Sequence, residues 1–322
     1  MTCEIETKNF TDYANPKWFK SPVGSSVWIT GYRANKIVNS DEFETKFIDL
    51  EYVRLVILNG TINYLDASNA KIEILQYDQF HFDVSKIAQK SEPPGFYVLF
   101  LLPFDTDGAF GDEALTRDRI RDAVGLLATL FGKNFVSKHL FDNVTKLDKG
   151  ETSAFSEATE NPHWFPAVDA NTDLLKQISN ANSAICKLQD ADRNRVYLCL
   201  RWLQQAIYDL DHIIAFIKFW IAIETLTMDG TDIRPICDLL GIGYGMSSND
   251  AKKHFNIDRI FGMRSAIVHG GKRLGIDGNL LLYLEAIVFD LISIKIGLPF
   301  EKRAEQKLRT HQFDVSAYLR SF

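Results

Sequence analysis

The hydrophobic period of this chain changes partway along its length, and that change limits the folds open to it. Between about residues 17 and 104, apolar residues come in short runs rich in β-branched and aromatic types. Ser26-Val27-Trp28-Ile29-Thr30-Gly31-Tyr32, Tyr52-Val53-Arg54-Leu55-Val56-Ile57-Leu58, Thr61-Ile62-Asn63-Tyr64-Leu65 and Lys71-Ile72-Glu73-Ile74-Leu75 all read as strands. Asn59-Gly60 lies between two of them and suits a tight hairpin turn. Phe96-Tyr97-Val98-Leu99-Phe100-Leu101-Leu102 is continuously apolar, as expected of a central strand covered on both faces. Residues 112–131 switch to helical spacing, with Leu115, Ile120, Val124, Leu127 and Leu130 able to share a face and Gly132 as the stop.

The second half keeps the helical period. Helices are expected over 173–188, 193–208 (Val196, Cys199, Leu200, Leu203 and Ile207 on one face), 211–228, 231–240, 257–269 and 279–296, followed by a charged tail. The densely apolar 211–228 segment should be central. Residues 241–249 read as a glycine- and serine-rich loop, and Asn256 as an N-cap with Asp258 near the positive helix end. The polar, proline-containing stretch 148–171 reads as the junction, with His163 and Trp164 in local packing. The expected fold class is therefore α+β: a β-rich module with one helix over 1–150, and an all-α bundle over 171–322.

Composition narrows the function classes. A length of 322 residues allows a real core in each half. A net charge of −6 argues against a surface that coats nucleic acid broadly, while leaving room for a local basic groove. No apolar run is long enough to span a membrane, and the start of the chain lacks a signal-peptide pattern, so a cytoplasmic protein is expected. Cys3, Cys186, Cys199 and Cys237 have no metal-ligand spacing and read as reduced thiols.

The chemistry-bearing stretch is Arg264-Ser265-Ala266-Ile267-Val268-His269-Gly270-Gly271, at the end of an apolar helical run. It couples a permanent cation to a group that titrates near neutral pH, which suits metal-free phosphodiester chemistry. An Arg–His spacing alone is a weak signal. On an ideal helix residues five apart diverge by about 140°. The two side chains would then flank a groove, which favours a site shared across a two-fold axis over one within a single chain. Gly270 reads as the left-handed cap.

Other residues are weighed beside this pair. Glu224, an acid in an apolar helix, reads either as a group orienting Arg264 or as a structural salt bridge. Lys272 and Arg273 read either as RNA phosphate contacts or as a solvated loop. Asp209, Asp211 and His212 read as a turn rather than a metal site, and Trp202 and Trp220 as core. Gly241-Ile242-Gly243-Tyr244-Gly245 lacks the strand and the lysine of a phosphate loop.

Residues 193–297 supply a context for the pair. Arg201-Trp202-Leu203, then Phe216-Ile217-Lys218-Phe219-Trp220-Ile221-Ala222-Ile223-Glu224-Thr225-Leu226, then Ile260-Phe261-Gly262-Met263-Arg264-Ser265-Ala266-Ile267-Val268-His269-Gly270 occur in that order. This third of the chain resembles the Apea-like branch of the HEPN superfamily. The resemblance implies a dimerising helical bundle and metal-independent RNA cleavage through an R-x(4–6)-H motif, matched here by Arg264 and His269. Ser265 stands at the polar position after the arginine. No cofactor or metal is implied. The implied partners are RNA, a second copy of the chain, and a regulatory or neutralising protein in a defence, toxin or stress setting. The alternative is a non-catalytic HEPN-type module for dimerisation or for binding RNA or protein.

Overall fold

A computed structural model describes residues 26–34, 46–66, 72–76, 79–82, 88–104, 111–133, 135–146, 152–156, 174–272, 274–309 and 319. Cys3, His163, Trp164 and Arg273 lie outside these. The fold is mixed α+β, with an antiparallel sheet in the first half and helices in the second. The chain divides into two compact units. The first holds residues up to 179 except 124–129; the second holds those six and everything from 180 onward.

The sheet of the first unit has the order β2-β3-β6-β1-β7-β8. The strands are β1 (Ser26–Ala34), β2 (Lys46–Asp49), β3 (Arg54–Asp66), β6 (Ala88–Phe104), β7 (Val136–Lys146) and β8 (Thr152–Ser156). A separate hairpin pairs β4 (Ile72–Gln76) with β5 (Gln79–Phe82). Every residue of β6 from Tyr97 to Leu102 is buried, as its unbroken apolar run requires. The expected hairpin at Asn59-Gly60 does not form: β3 runs straight through and pairs with β6 along its length. The register slips between Gly60 and Ile62, opposite Pro93-Pro94, where proline has no N–H to give the ladder. Strand β8 falls inside the polar stretch read as the junction and pairs with β7. Gly31 is required by packing, since a Cβ there would sit 2.2 Å from the Phe141 ring.

Helix α1 (Gly111–Phe131) buries Ile120, Val124 and Leu127, and Gly132 ends it at φ +85°. Leu115 departs from the expected face and is 46% exposed, because this turn presents Arg117 to the sheet instead. Arg117 Nη1 donates to Asp142 Oδ2 at 2.9 Å, and its guanidinium lies 5.1 Å from the Trp28 ring centre. Asp142 is 3% exposed. It also accepts from Thr30 Oγ1 at 2.6 Å and stands 3.3 Å from His139 Nε2.

The second unit is built from α2 (Leu174–Cys186, whose first turns belong to unit one), α3 (Asp190–Ile207), α4 (His212–Thr227), α5 (Arg234–Tyr244), α6 (Ser248–His254), α7 (Ile257–Val268), α8 (Gly278–Lys295) and α9 (Arg303–Arg309). Helix α4 buries Ala215, Phe216, Phe219, Trp220, Ala222, Ile223 and Leu226. Trp202 in α3 is only half-buried, unlike Trp220. Helix α8 is buried on nearly every side, so it shares the centre with α4.

The expected loop over 241–249 is mostly helix. Residues up to Tyr244 continue α5, Gly245 (φ +70°) caps it in left-handed geometry with Met246 N–H bonded to Gly241 O, and Ser247 caps α6. Its glycines serve a helix stop rather than a phosphate cradle. Asp290 of α8 is buried and accepts Tyr244 Oη at 2.5 Å and the backbone N–H groups of Arg303 and Ala304 at 3.1 and 2.8 Å. Burial raises its carboxyl above the ordinary range despite those donors. The charged tail is thereby tied to the bundle as α9. Among the described residues no helix is long and apolar enough to cross a membrane.

Candidate functional site

Two helices bring the chemistry together. Asp211 starts α4 by accepting the N–H groups of Ile213 and Ile214 at 2.8 and 3.1 Å. Its neighbours are structural as well. Asp209 pairs with Lys218 at 2.5 Å, and His212 Nδ1 lies 3.0 Å from Ile276 O. Desolvation works to raise the Asp209 carboxyl, but the Lys218 contact and the Asp211 N–H outweigh it and hold the group below its usual value. Asp209 and Asp211 lie in the turn between α3 and α4, as expected, and His212 opens α4 itself. Helix α4 then carries Glu224 on a flank that is not fully buried, 23% exposed at the side chain.

Helix α7 runs from Ile257 and buries Ile257, Ile260 and Met263. Asn256 does not cap it through its side chain. It sits at φ +54°, a conformation Asn tolerates, and Phe255 and Asn256 turn the chain sharply between α6 and α7. The far end also differs from expectation. Gly271 (φ +60°), not Gly270, takes the left-handed position, and Lys272 N–H closes on Ala266 O at 3.1 Å. Gly270 matters for another reason: a Cβ there would lie 2.7 Å from Ala266 O. His269 is the C-cap at φ −100°, ψ −31°, its N–H bonded to Ser265 O at 2.9 Å.

Arg264 and His269 meet within one chain. Arg264 Nη1 lies 3.1 Å from His269 Nε2, and Arg264 Nη2 lies 3.5 Å from Glu224 Oε2. The expectation of two side chains flanking a groove fails for a simple reason. The 140° divergence describes Cα–Cβ directions on an ideal helix, whereas His269 lies at the cap and arginine is long enough to reach round the last turn. A guanidinium only donates, so Nε2 is the acceptor in this contact. The other oxygen of Glu224, Oε1, accepts from Trp220 Nε1 at 2.7 Å. The result is a connected chain in which the Glu224 carboxylate accepts from the Trp220 indole and from Arg264, and Arg264 donates in turn to His269.

This chain opens onto a hollow of about 370 Å³ lined by Glu224, Thr225, Met228, Phe261, Ser265 and the loop 230–231, with Arg264 and His269. Arg195 of α3 holds the loop wall from behind by donating to Met228 O at 3.4 Å and to the Asp229 carboxylate. Lys272 is exposed just beyond the helix end. Thr225 and Phe261 fall inside the runs that carry the resemblance but are not singled out there as site residues, and Thr231 carries no motif signal. Phe261 precedes Arg264 by three residues, on the same helix face. Among the described residues no cluster of three or more His, Cys, Asp or Glu is arranged to hold a metal ion. Cys186 is exposed; Cys199 and Cys237 are buried, and desolvation pushes the Cys237 thiol up to about 11. No family model, curated protein or solved structure matches this chain.

Proposed function

We propose that the protein is a metal-independent endoribonuclease of HEPN type, working in the cytosol as a homodimer. One observation carries the reading: a guanidinium held by a carboxylate on one side and an imidazole nitrogen on the other, at the wall of an open hollow. In the free protein Arg264 Nη1 occupies the His269 lone pair. An RNA phosphate is a stronger partner for that guanidinium, because the bond becomes charge-assisted and bidentate. When phosphate takes Nη1, His269 Nε2 is released beside the ribose.

His269 Nε2 then accepts the proton of the 2′-hydroxyl, and the 2′-oxygen forms a bond to phosphorus. The phosphorus–O5′ bond breaks, and the departing 5′-oxygen takes a proton from the His269 imidazolium formed when the 2′-hydroxyl was deprotonated. The products are a 2′,3′-cyclic phosphate and a 5′-hydroxyl end. Arg264 stabilises charge on the non-bridging oxygens, and Glu224 keeps the guanidinium aimed. Ser265 fixes the helix end through its carbonyl, and Lys272, with Arg273, contacts flanking phosphates. DNA lacks the nucleophile and is not cut. Such a nuclease needs restraint, which fits a defence, toxin or stress setting with a neutralising protein.

A second reading has its own support. Arg264 already has both partners it needs in the free chain, so the trio also serves as a brace between α4 and α7 in a non-catalytic dimerisation or binding module. The deciding experiment incubates single-stranded RNA with the protein in EDTA and analyses the ends formed. Cyclic phosphate made by wild type but not by Arg264→Ala or His269→Ala supports the nuclease. Intact RNA with folded wild-type dimer supports the brace.

A further inference from the structure

We infer that Phe261 is a stacking platform for a nucleobase, so the site takes an unpaired nucleotide whose base is splayed out beside the scissile phosphate. The inference deepens the ribonuclease reading and rests on it. Phe261 is only partly buried and lines the same hollow as Arg264, Ser265 and His269. It precedes Arg264 by three residues, so the two side chains neighbour each other on one helix face. That places a π-face next to the phosphate-binding cation, the relation of base to phosphate within one nucleotide.

The ring is also held from behind. Trp220, fully buried, lies 5.9 Å from Phe261 between ring centres at an interplanar angle of 41°. The same Trp220 donates to Glu224, which positions Arg264. One indole therefore sets both the aromatic wall and the cationic wall. A platform of this kind tolerates any base, since each presents a π-face. It rejects duplex RNA, whose bases are stacked on one another and whose major groove is too narrow for side chains.

The test uses the full-length protein and a fluorescein-labelled 2′-O-methyl RNA oligonucleotide, which binds but is not cut, with a counterpart carrying abasic positions. Wild type should bind the base-bearing strand about tenfold or more tighter than the abasic one, the range of one base–aromatic stack. Phe261→Leu, which keeps an apolar side chain against Trp220, should bind both strands equally. Phe261→Tyr should keep the preference. Equal binding of both strands by wild type, or a preference that survives in Phe261→Leu, overturns the inference. Cleavage of ordinary RNA is scored separately: a base preference without cleavage sinks the nuclease and keeps the platform, and cleavage without a base preference does the reverse.

Discussion

Each of the two units brings a guanidinium, a carboxylate and a histidine together, but in the sheet unit the carboxylate stands between the other two and in the helical unit the guanidinium does. In the sheet unit Arg117 meets Asp142, which also faces His139 and Thr30, and the carboxylate is sealed at 3% exposure. Thr30 donates from a strand, and Arg117, 31% exposed at its side chain, bonds a second acid, Glu113, at 2.9 Å. In the helical unit Glu224 and Arg264 each keep 23% exposure, and His269 is exposed at a helix end beside a hollow. The same three functional groups make a pin in one place and an open, displaceable contact in the other. The carboxylate separates the two: Asp142 is sealed while Glu224 keeps partial access to solvent, and Arg117 is no less exposed than Arg264.

Substitutions should break this contrast in a definite order. The largest effect is expected in the helical unit: Arg264→Ala or His269→Ala should lower RNA cleavage by a factor of about 100 to 10,000 while leaving the thermal midpoint nearly unchanged. Next comes Asp142→Ala, which should cost about 2–3 kcal/mol of stability in chemical denaturation. It takes the acceptor from the Thr30 hydroxyl and one of the two carboxylates from Arg117, and cleavage per folded molecule should be unaffected. A cleavage loss as large as that of His269→Ala would erase the distinction between pin and site. Third is Glu224→Gln, which keeps an acceptor for Trp220 but removes the charge facing Arg264; cleavage should fall about tenfold with little change in unfolding.

The smallest effect belongs to an ion pair of neither kind. Asp209→Asn removes the contact with Lys218 and should cost about 0.5 kcal/mol at pH 7. Because the folded state holds the Asp209 carboxyl below its ordinary value, the stabilisation is present at neutral pH and disappears as pH falls through that lowered value. Wild type and variant should therefore converge in denaturation midpoints at strongly acidic pH. A gap that persists there assigns the effect to backbone bonding at the α4 turn instead.

The β-branched and aromatic run of β1, the unbroken apolar run of β6, the three-to-four spacing in α3 and the dense apolar segments of α4 and α8 were legible because burial of one face, or of all faces, is written locally. The misreadings are equally local in origin. Asn59-Gly60 is a turn dipeptide by intrinsic preference, but a continuous partner in β6 holds it in a strand. Leu115 fits a helical stripe, yet the need to seat Arg117 against Asp142 turned it outward. The Asp142 cluster left no trace in the sequence, since Thr30 and Asp142 are 112 residues apart. For the candidate site the residues were visible, Glu224 as an acid in an apolar helix and Arg264 and His269 as a pair. Their direct contact was not, because a spacing rule fixes where a side chain begins and not where a long one ends.

Asp290 has a practical corollary for anyone expressing this protein. Two of its three hydrogen-bond donors are backbone amides of Arg303 and Ala304. A stop codon placed just after α8 would strip them away and leave an acid in the interior with a single phenol for company. Shortened versions ending there should precipitate, whereas those that retain the chain through Arg309 should purify normally.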